Sequence, residues 1–476
     1  MLFNDYYFIF WFLPITLLLY HAALGLGRVT LGKWVLLAAS LFFYSLWKLE
    51  FLPLFLISIF CNYLIGSRLQ ARPVASSILR THGELALVWL GMAGNLAFLF
   101  YYKYLTFFAN QSNLFLGTDF VLTKIVMPLG ISFFTFMQMS YLFECYQGRV
   151  KERTSLLDYT QFITFFPHLI AGPIILHKEL IPQFNDRSRM RTMSNNIALG
   201  IFLFALGLFK KVVIADSLAE NAALPFDQGA YDGMRAWIGA LSYTFQLYFD
   251  FSGYMDMAMG IARMFNFDLP INFDSPFRAT NISAFWRRWH ITMTRFFMSY
   301  VFMPLAMRAA RRHVDAPPSK HRKFVEATAV PILLTFFLAG IWHGAGWTFI
   351  VFGLWHGCGL VIHRLWELTG RKMPIPVAWL LTFTFVVIGF VFFRSPNMEV
   401  AGRVLNGMFT ISGDPAERHR FLLVGVALVL ALLPKNSQAL AKAFQPTWRT
   451  FGWTMTAIVM SLGLINRQAV FLYWQF

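Results

Sequence analysis

The stretch Gly340–Gly357, GIWHGAGWTFIVFGLWHG, sets two histidines, His343 and His356, in an otherwise apolar and aromatic run. An imidazole in such surroundings loses its water and needs a polar partner or a water-filled cavity. The small residues beside His343 (Gly340, Gly344, Ala345 and Gly346) let other backbone, or a substrate, approach it closely. Two readings are open: a helix-packing histidine satisfied by its neighbours, or an ionisable group kept inside a membrane for chemistry. On a continuous helix the two histidines point about 220° apart, so one cavity takes only one of them. The small-residue surroundings favour His343. A straight helix from Lys323 carries it about 30 Å across a bilayer, unless Pro331 or Gly340 breaks the path.

The rest of the chain is of the same character. Its 476 residues are 57% hydrophobic, 18% aromatic and 13% charged, with a mean hydropathy of +0.55, whereas soluble domains carry about 25% charged residues. Spans of roughly 20 apolar residues fit about ten to twelve times, and no alternating pattern of a membrane barrel competes with them. The expected fold class is all-α: a polytopic integral membrane protein forming one domain over residues 1–476, with an aromatic tail at 467–476. The N-terminus lacks the basic start of a signal peptide and reads as a retained first span.

The net charge of +17 is spread over short loops between apolar runs, which marks topology rather than nucleic-acid binding. Arg28 and Lys33, then Arg68, Arg72 and Arg80, then Arg187, Arg189 and Arg191, then Arg308 to Lys323 around Pro317–Pro318, all mark cytoplasmic sides. The first of these loops follows one span, which puts the N-terminus outside, and counting three late spans from Arg371 and Lys372 as cytoplasmic puts the C-terminus outside too. Cys61, Cys145 and Cys358 show no disulfide or metal spacing, and no metal site is expected.

Besides the opening stretch, three constellations can carry chemistry: one in Tyr243–Met259, one in Phe285–Thr294 and one in the final six residues. Tyr243–Met259 holds Gln246, Asp250, Ser252, Tyr254 and Asp256 in an aromatic helix. The two aspartates sit about 240° apart, which argues against a paired acid–base site and for a polar lining or helix-tying bonds. Phe285–Thr294 gathers Arg287, Arg288, Trp289 and His290. It reads either as an interfacial amphipathic helix or as a substrate mouth whose cations meet a phosphate-bearing donor. Phe162–Leu176 holds His168 and two prolines and suits a re-entrant segment enclosed by protein. The final FLYWQF, with Tyr473, reads on physical grounds as an interfacial aromatic belt.

IWHG at Ile341–Gly344, FWRRWHIT at Phe285–Thr292, QLYFDFSGY at Gln246–Tyr254 and FPHLIAGP at Phe166–Pro173 occur in that order. With them the chain resembles, over nearly its whole length, the membrane-bound O-acyltransferase family, in the branch of bacterial alginate O-acetylases. The resemblance implies helices around a tunnel joining the two membrane faces, with His343 as the main catalytic histidine and His290 as the second. It implies substrate- or tunnel-lining roles for Trp342, Asp250, Gln246, Ser252, Arg287, Arg288, Trp289 and His168. The donor it implies is acetyl-CoA or another cytoplasmic thioester, with no bound cofactor. It further implies the bacterial inner membrane, and a serine-hydrolase-like extracytoplasmic transferase as partner. Besides membrane lipids, a polysaccharide such as alginate, cellulose or peptidoglycan is the indirect acceptor. FLYWQF resembles an F-x-Y-x-x-F tail whose tyrosine carries the acyl group, which makes Tyr473 a candidate carrier. The chain departs from the alginate branch between Phe302 and Phe324, which leaves the polymer open. D-alanyl transfer to teichoic acid, or a proton-coupled transporter with no acyl chemistry, are the alternatives.

Overall fold

A computed structural model describes residues 1–70, 82–121, 125–312, 319–465 and Leu472. Arg72, Arg80, Pro317, Pro318 and Tyr473 lie outside the described residues. The regular elements among the described residues are all helices, with no strand among them. Among the described residues seven helices are long and apolar enough to cross a membrane: Phe8–Gly25, Leu49–Gln70, His82–Leu116, Ser194–Phe226, Lys320–His343, Trp347–Leu368 and Ile375–Arg394. They carry outward Leu, Ile and Trp side chains such as Trp11, Leu18, Trp89 and Ile362, as bilayer contact requires. The all-α, multi-pass reading of the sequence therefore holds. Other apolar stretches form helices too short for that list, such as Arg420–Leu432. Ile131–Tyr146 is buried on nearly every side, so it belongs to the protein interior rather than to lipid.

By contacts the chain divides into two compact units. The first comprises Met1–Leu206, Tyr254–Pro270 and Phe444–Ala457, and the second Gly207–Gly253, Ile271–Ala443 and Ile458–Phe476. In the first unit Phe43 packs on Phe3, Phe8 and Phe166 with ring centroids 5.7–6.0 Å apart. Apolar packing alone does not order helices in a bilayer, and buried amides supply direction. Asn95 donates to Asn62 (2.7 Å), and Ser58 donates to Gln138 (3.0 Å), tying three helices together. The backbone from Asp158 to His177 is buried without interruption. It breaks from the helix Leu156–Thr164 into the single turn Phe166–Leu169 before an extended run. Irregular backbone of this kind is enclosed by protein, as the sequence suggested for Phe162–Leu176.

The second unit is built on a helical hairpin. The sequence left open a straight path through His343 or a break at Pro331 or Gly340. Instead, Val330–His343 ends at that histidine and Trp347–Leu368 begins three residues after Gly344. The two helices touch backbone to backbone: a Cβ on Gly340 would collide with the Phe349 carbonyl, and one on Gly353 with the Phe336 carbonyl. These glycines admit the neighbouring helix rather than a substrate. Indole N–H groups fasten the surrounding helices. Trp355 donates to the Phe385 carbonyl (2.9 Å), Trp379 to Phe277 (2.8 Å) and Trp237 to Met408 (2.9 Å).

Candidate active site

The segment Phe285–Thr294 is not the continuous amphipathic helix that one reading of its composition offered. A short helix, Ile282–Trp286, is capped by the Asn281 side chain, which accepts the Ala284 N–H (2.7 Å). The chain then turns through Arg287–Trp289 and restarts as Ile291–Phe297. The residue at the restart is His290, with φ 45° and ψ 53°. A left-handed backbone costs a non-glycine residue about 1–2 kcal/mol, so the surrounding structure must hold it there.

Asn272 does the holding. Its backbone carbonyl accepts the Ile291 N–H (3.0 Å). Its side-chain oxygen accepts the Thr292 N–H (3.0 Å) and the Thr292 hydroxyl (3.0 Å) and lies 3.2 Å from His290 Nδ1. An atom that accepts a backbone N–H is the amide oxygen, which has no proton to give. Nδ1 of His290 is therefore the donor, and in the neutral ring Nε2 carries the lone pair. Burial alone pushes the pKa of this imidazole, which lies outside the membrane-spanning helices, down to about 3. It is neutral at physiological pH.

The hairpin brings His343 to this residue. The His290 and His343 ring centroids are 6.3 Å apart, and Trp342 lies 6.0 Å from His290. Phe393 (5.1 Å) and Phe352 (5.9 Å) close around His343, and Phe251 stands edge-on to His290 at 4.9 Å. All the members of this group are buried. Two basic nitrogens in an aromatic, water-poor setting suit proton transfer and polar positioning. Trp289 stacks on Phe285 at 5.6 Å. His356, by contrast, packs against Gly389 and the rings of Phe352 and Trp286. Among the described residues neither of its ring nitrogens has a hydrogen-bond partner. It is a packing histidine, which leaves His343 as the hairpin's candidate.

The other expected residues are placed as follows. Gln246 and Ser252 are buried in the second unit. Arg287 is exposed and donates to the Ser283 hydroxyl (2.7 Å), and Arg288 is half-buried, its carbonyl accepting the Asp274 N–H (3.0 Å). His168 belongs to the first unit, buried beside Phe165. Asp250 ties helices: Lys211 Nζ sits 2.8 Å from it and 2.8 Å from Asp216. The second oxygen of Asp250 accepts the backbone N–H of Leu472 (2.8 Å). Asp256 is buried in the first unit. Asn272 and Lys211 went unnoticed in the sequence. A lysine inside an apolar run was the available signal for the second, and Asn272 had none.

Motif order and paired histidines narrow the chemistry but not the lineage. The family model for membrane-bound O-acyltransferases matches residues 30–399. The chain belongs to the membrane-bound O-acyltransferase family. It is similar to the peptidoglycan O-acetyltransferase of Helicobacter pylori, with 38% identity covering 100% of this chain and 98% of that one. It is also 38% identical to a probable alginate O-acetylase of Azotobacter vinelandii, covering 87% of this chain and 79% of the relative. A teichoic acid D-alanyltransferase of Streptococcus thermophilus is 28% identical over 50% of this chain and 57% of its own. As a membrane-bound O-acyltransferase the protein is a multi-pass enzyme that moves acyl groups to oxygen, and the transporter reading falls away.

Proposed function

We propose that this O-acyltransferase takes an acetyl group from a cytoplasmic thioester, acetyl-CoA in the simplest case, and delivers it across the bacterial inner membrane for O-acetylation of an envelope glycan. The observation that carries the reading is the buried His290–His343 pair, with the His290 tautomer set by Asn272. His343 acts as general base. It takes the proton of the acceptor hydroxyl as that oxygen attacks the thioester carbonyl, and returns it to the departing sulfur when the C–S bond breaks. His290, with its lone pair on Nε2, accepts a hydrogen bond and so orients an N–H or O–H group of the donor or acceptor. In its neutral form it gives no proton to an oxyanion.

The acceptor is the phenol of Tyr473. A phenol, with a pKa of about 10, is a good leaving group, so its ester hands the acetyl group on. An extracytoplasmic transferase of the serine-hydrolase-like kind finishes the transfer. Peptidoglycan is the favoured polymer among the three considered, because the peptidoglycan O-acetyltransferase aligns over the whole of both chains. The teichoic acid D-alanyltransferase aligns over about half of each.

The test is peptide mass spectrometry of the purified protein after exposure to labelled acetyl-CoA, in wild type, His343→Ala and Tyr473→Phe. Label on the C-terminal peptide, lost in both variants, is the expected result. Thioester consumed without that label refutes the tyrosine carrier, and neither label nor consumption refutes acetyl-CoA as donor.

A further inference from the structure

The first unit contains a cavity of about 900 Å³ where the loop before the helix Val29–Ser45 meets the turn after the helix His177–Asn185. Arg28, Lys33 and Arg187 line it. Ligand pockets commonly occupy about 300–1,000 Å³, so its size suits a small molecule or a lipid headgroup.

The charges around it are not balanced. Lys33 is satisfied by Asp158 (2.7 Å) and by the Asn185 side-chain oxygen (2.7 Å). The nearby Asp186 is turned to the Ser188 N–H and hydroxyl and to Arg189, and does not line the cavity. Arg28 and Arg187 are both exposed, and among the described residues neither has an acidic partner. The site therefore presents two guanidinium groups without counter-charges. Guanidinium forks match phosphate oxygens in geometry as well as in charge.

A second feature points to the same ligand. The helix Val29–Ser45, 17 residues long, opens at this cavity, and its first position has no side-chain cap. Its first residues, Val29, Thr30 and Leu31, line the same cavity as the arginines, and the start of a helix carries unpaired backbone N–H groups and the positive end of the helix dipole. The remaining wall is mixed, with Val29, Leu31, Phe184 and Met190 as its apolar part and Thr30 and Asn185 as its polar part. Cations, a helix N-terminus and a partly apolar wall together describe a site for a phosphate attached to something greasy or aromatic.

We propose that this cavity binds a phosphate-bearing ligand. The chemistry is shared by two sources: the headgroup of an anionic phospholipid, and the phosphorylated nucleoside end of a CoA thioester. Arg28, Lys33 and Arg187 belong to loops that the positive-inside rule assigns to the cytoplasm, where both sources are present. The lipid case is independent of the acyl-transfer reading. The nucleotide case rests on it.

The experiment uses the full-length purified protein and two matched probe pairs. Native mass spectrometry compares retention of phosphatidylglycerol with phosphatidylcholine, and equilibrium binding compares CoA with dephospho-CoA. The variants are Arg28→Gln/Arg187→Gln and the charge-keeping Arg28→Lys/Arg187→Lys. We expect phosphatidylglycerol or CoA, the more anionic member of its pair, to bind at least tenfold better than its partner. The Gln pair should lose that preference, the Lys pair should keep most of it, and raised salt should weaken it. Preference for phosphatidylglycerol identifies the lipid, and preference for CoA identifies the nucleotide. Equal binding within both pairs, or a preference unchanged in the Gln variant, overturns the proposal. Labelling of the C-terminal peptide reads the acyl-transfer reaction separately, so a failure of either idea is seen without the other.

Discussion

Replacing Asn272 with alanine removes the single oxygen on which His290 Nδ1, the Thr292 N–H and the Thr292 hydroxyl converge. Asn272 and Thr292 are 1% exposed and His290 is 0% exposed, so water does not substitute. The hydroxyl can rotate toward another acceptor, which leaves two donors without one. At about 1–3 kcal/mol for each buried unsatisfied group, the loss comes to about 2–6 kcal/mol, and melting in detergent should fall by several degrees. The catalytic consequence is separate. With Nδ1–H no longer held, the ring can carry its proton on either nitrogen, and Nε2 is no longer fixed as an acceptor. Thioester consumption should drop in Asn272→Ala. Asn272→Asp keeps an acceptor and places a carboxylate against the imidazole, which raises its pKa. That variant should recover part of the rate and shift the acid limb of the pH profile upward. An Asn272→Ala protein that melts and turns over like wild type would show that this oxygen does not organise the site.

Three further outcomes follow from the packing. Lys211→Met leaves Asp216 and Asp250 facing each other in the interior and should cost about 3–5 kcal/mol. Asp250→Asn keeps an acceptor for Leu472 and leaves Lys211 one aspartate, so it should be milder in thermal melts. Gly353→Ala drives a methyl group into the Phe336 carbonyl; overpacking of this kind costs about 1–3 kcal/mol, and both stability and activity should fall because His343 ends the facing helix. Burial depresses the His290 pKa to about 3, below its ordinary value of about 6.5. The unfolded chain therefore binds the proton that the folded one refuses, so its contribution is complete above pH 6.5 and is lost as the pH falls toward 3. His290→Asn, which tolerates the left-handed backbone, should flatten that acid dependence of melting.

The membrane class was legible in almost every segment, because apolar runs of bilayer length need no partner to be recognised. The break between His343 and Trp347 was spelled out as Gly-Ala-Gly, yet an apolar run on either side reads as one helix when periodicity is the only guide. The turn before His290 was harder. Arg-Arg-Trp-His contains no glycine or proline, and the left-handed backbone there is imposed from Asn272, 18 residues away in the chain. Lys211 and Asp250 illustrate the same limit. Each reads locally as an ionisable group in an apolar helix, and only the fold shows that they answer one another. His343 and His290 could be named in advance because family motifs surround them, whereas Asn272 lies in no motif.

The contact between Leu472 and Asp250 is made by a backbone N–H, and that choice has a consequence for how the C-terminus is read. A main-chain donor is the same at every residue but proline, so the carboxylate recognises a position along the chain and is indifferent to the side chain there. The bond works as a ruler mark. Exchanging the leucine for another residue leaves the mark in place, while inserting or deleting one residue upstream hands it to a neighbour and changes which side chain comes next. The spelling of the tail is set by its phase as much as by its composition.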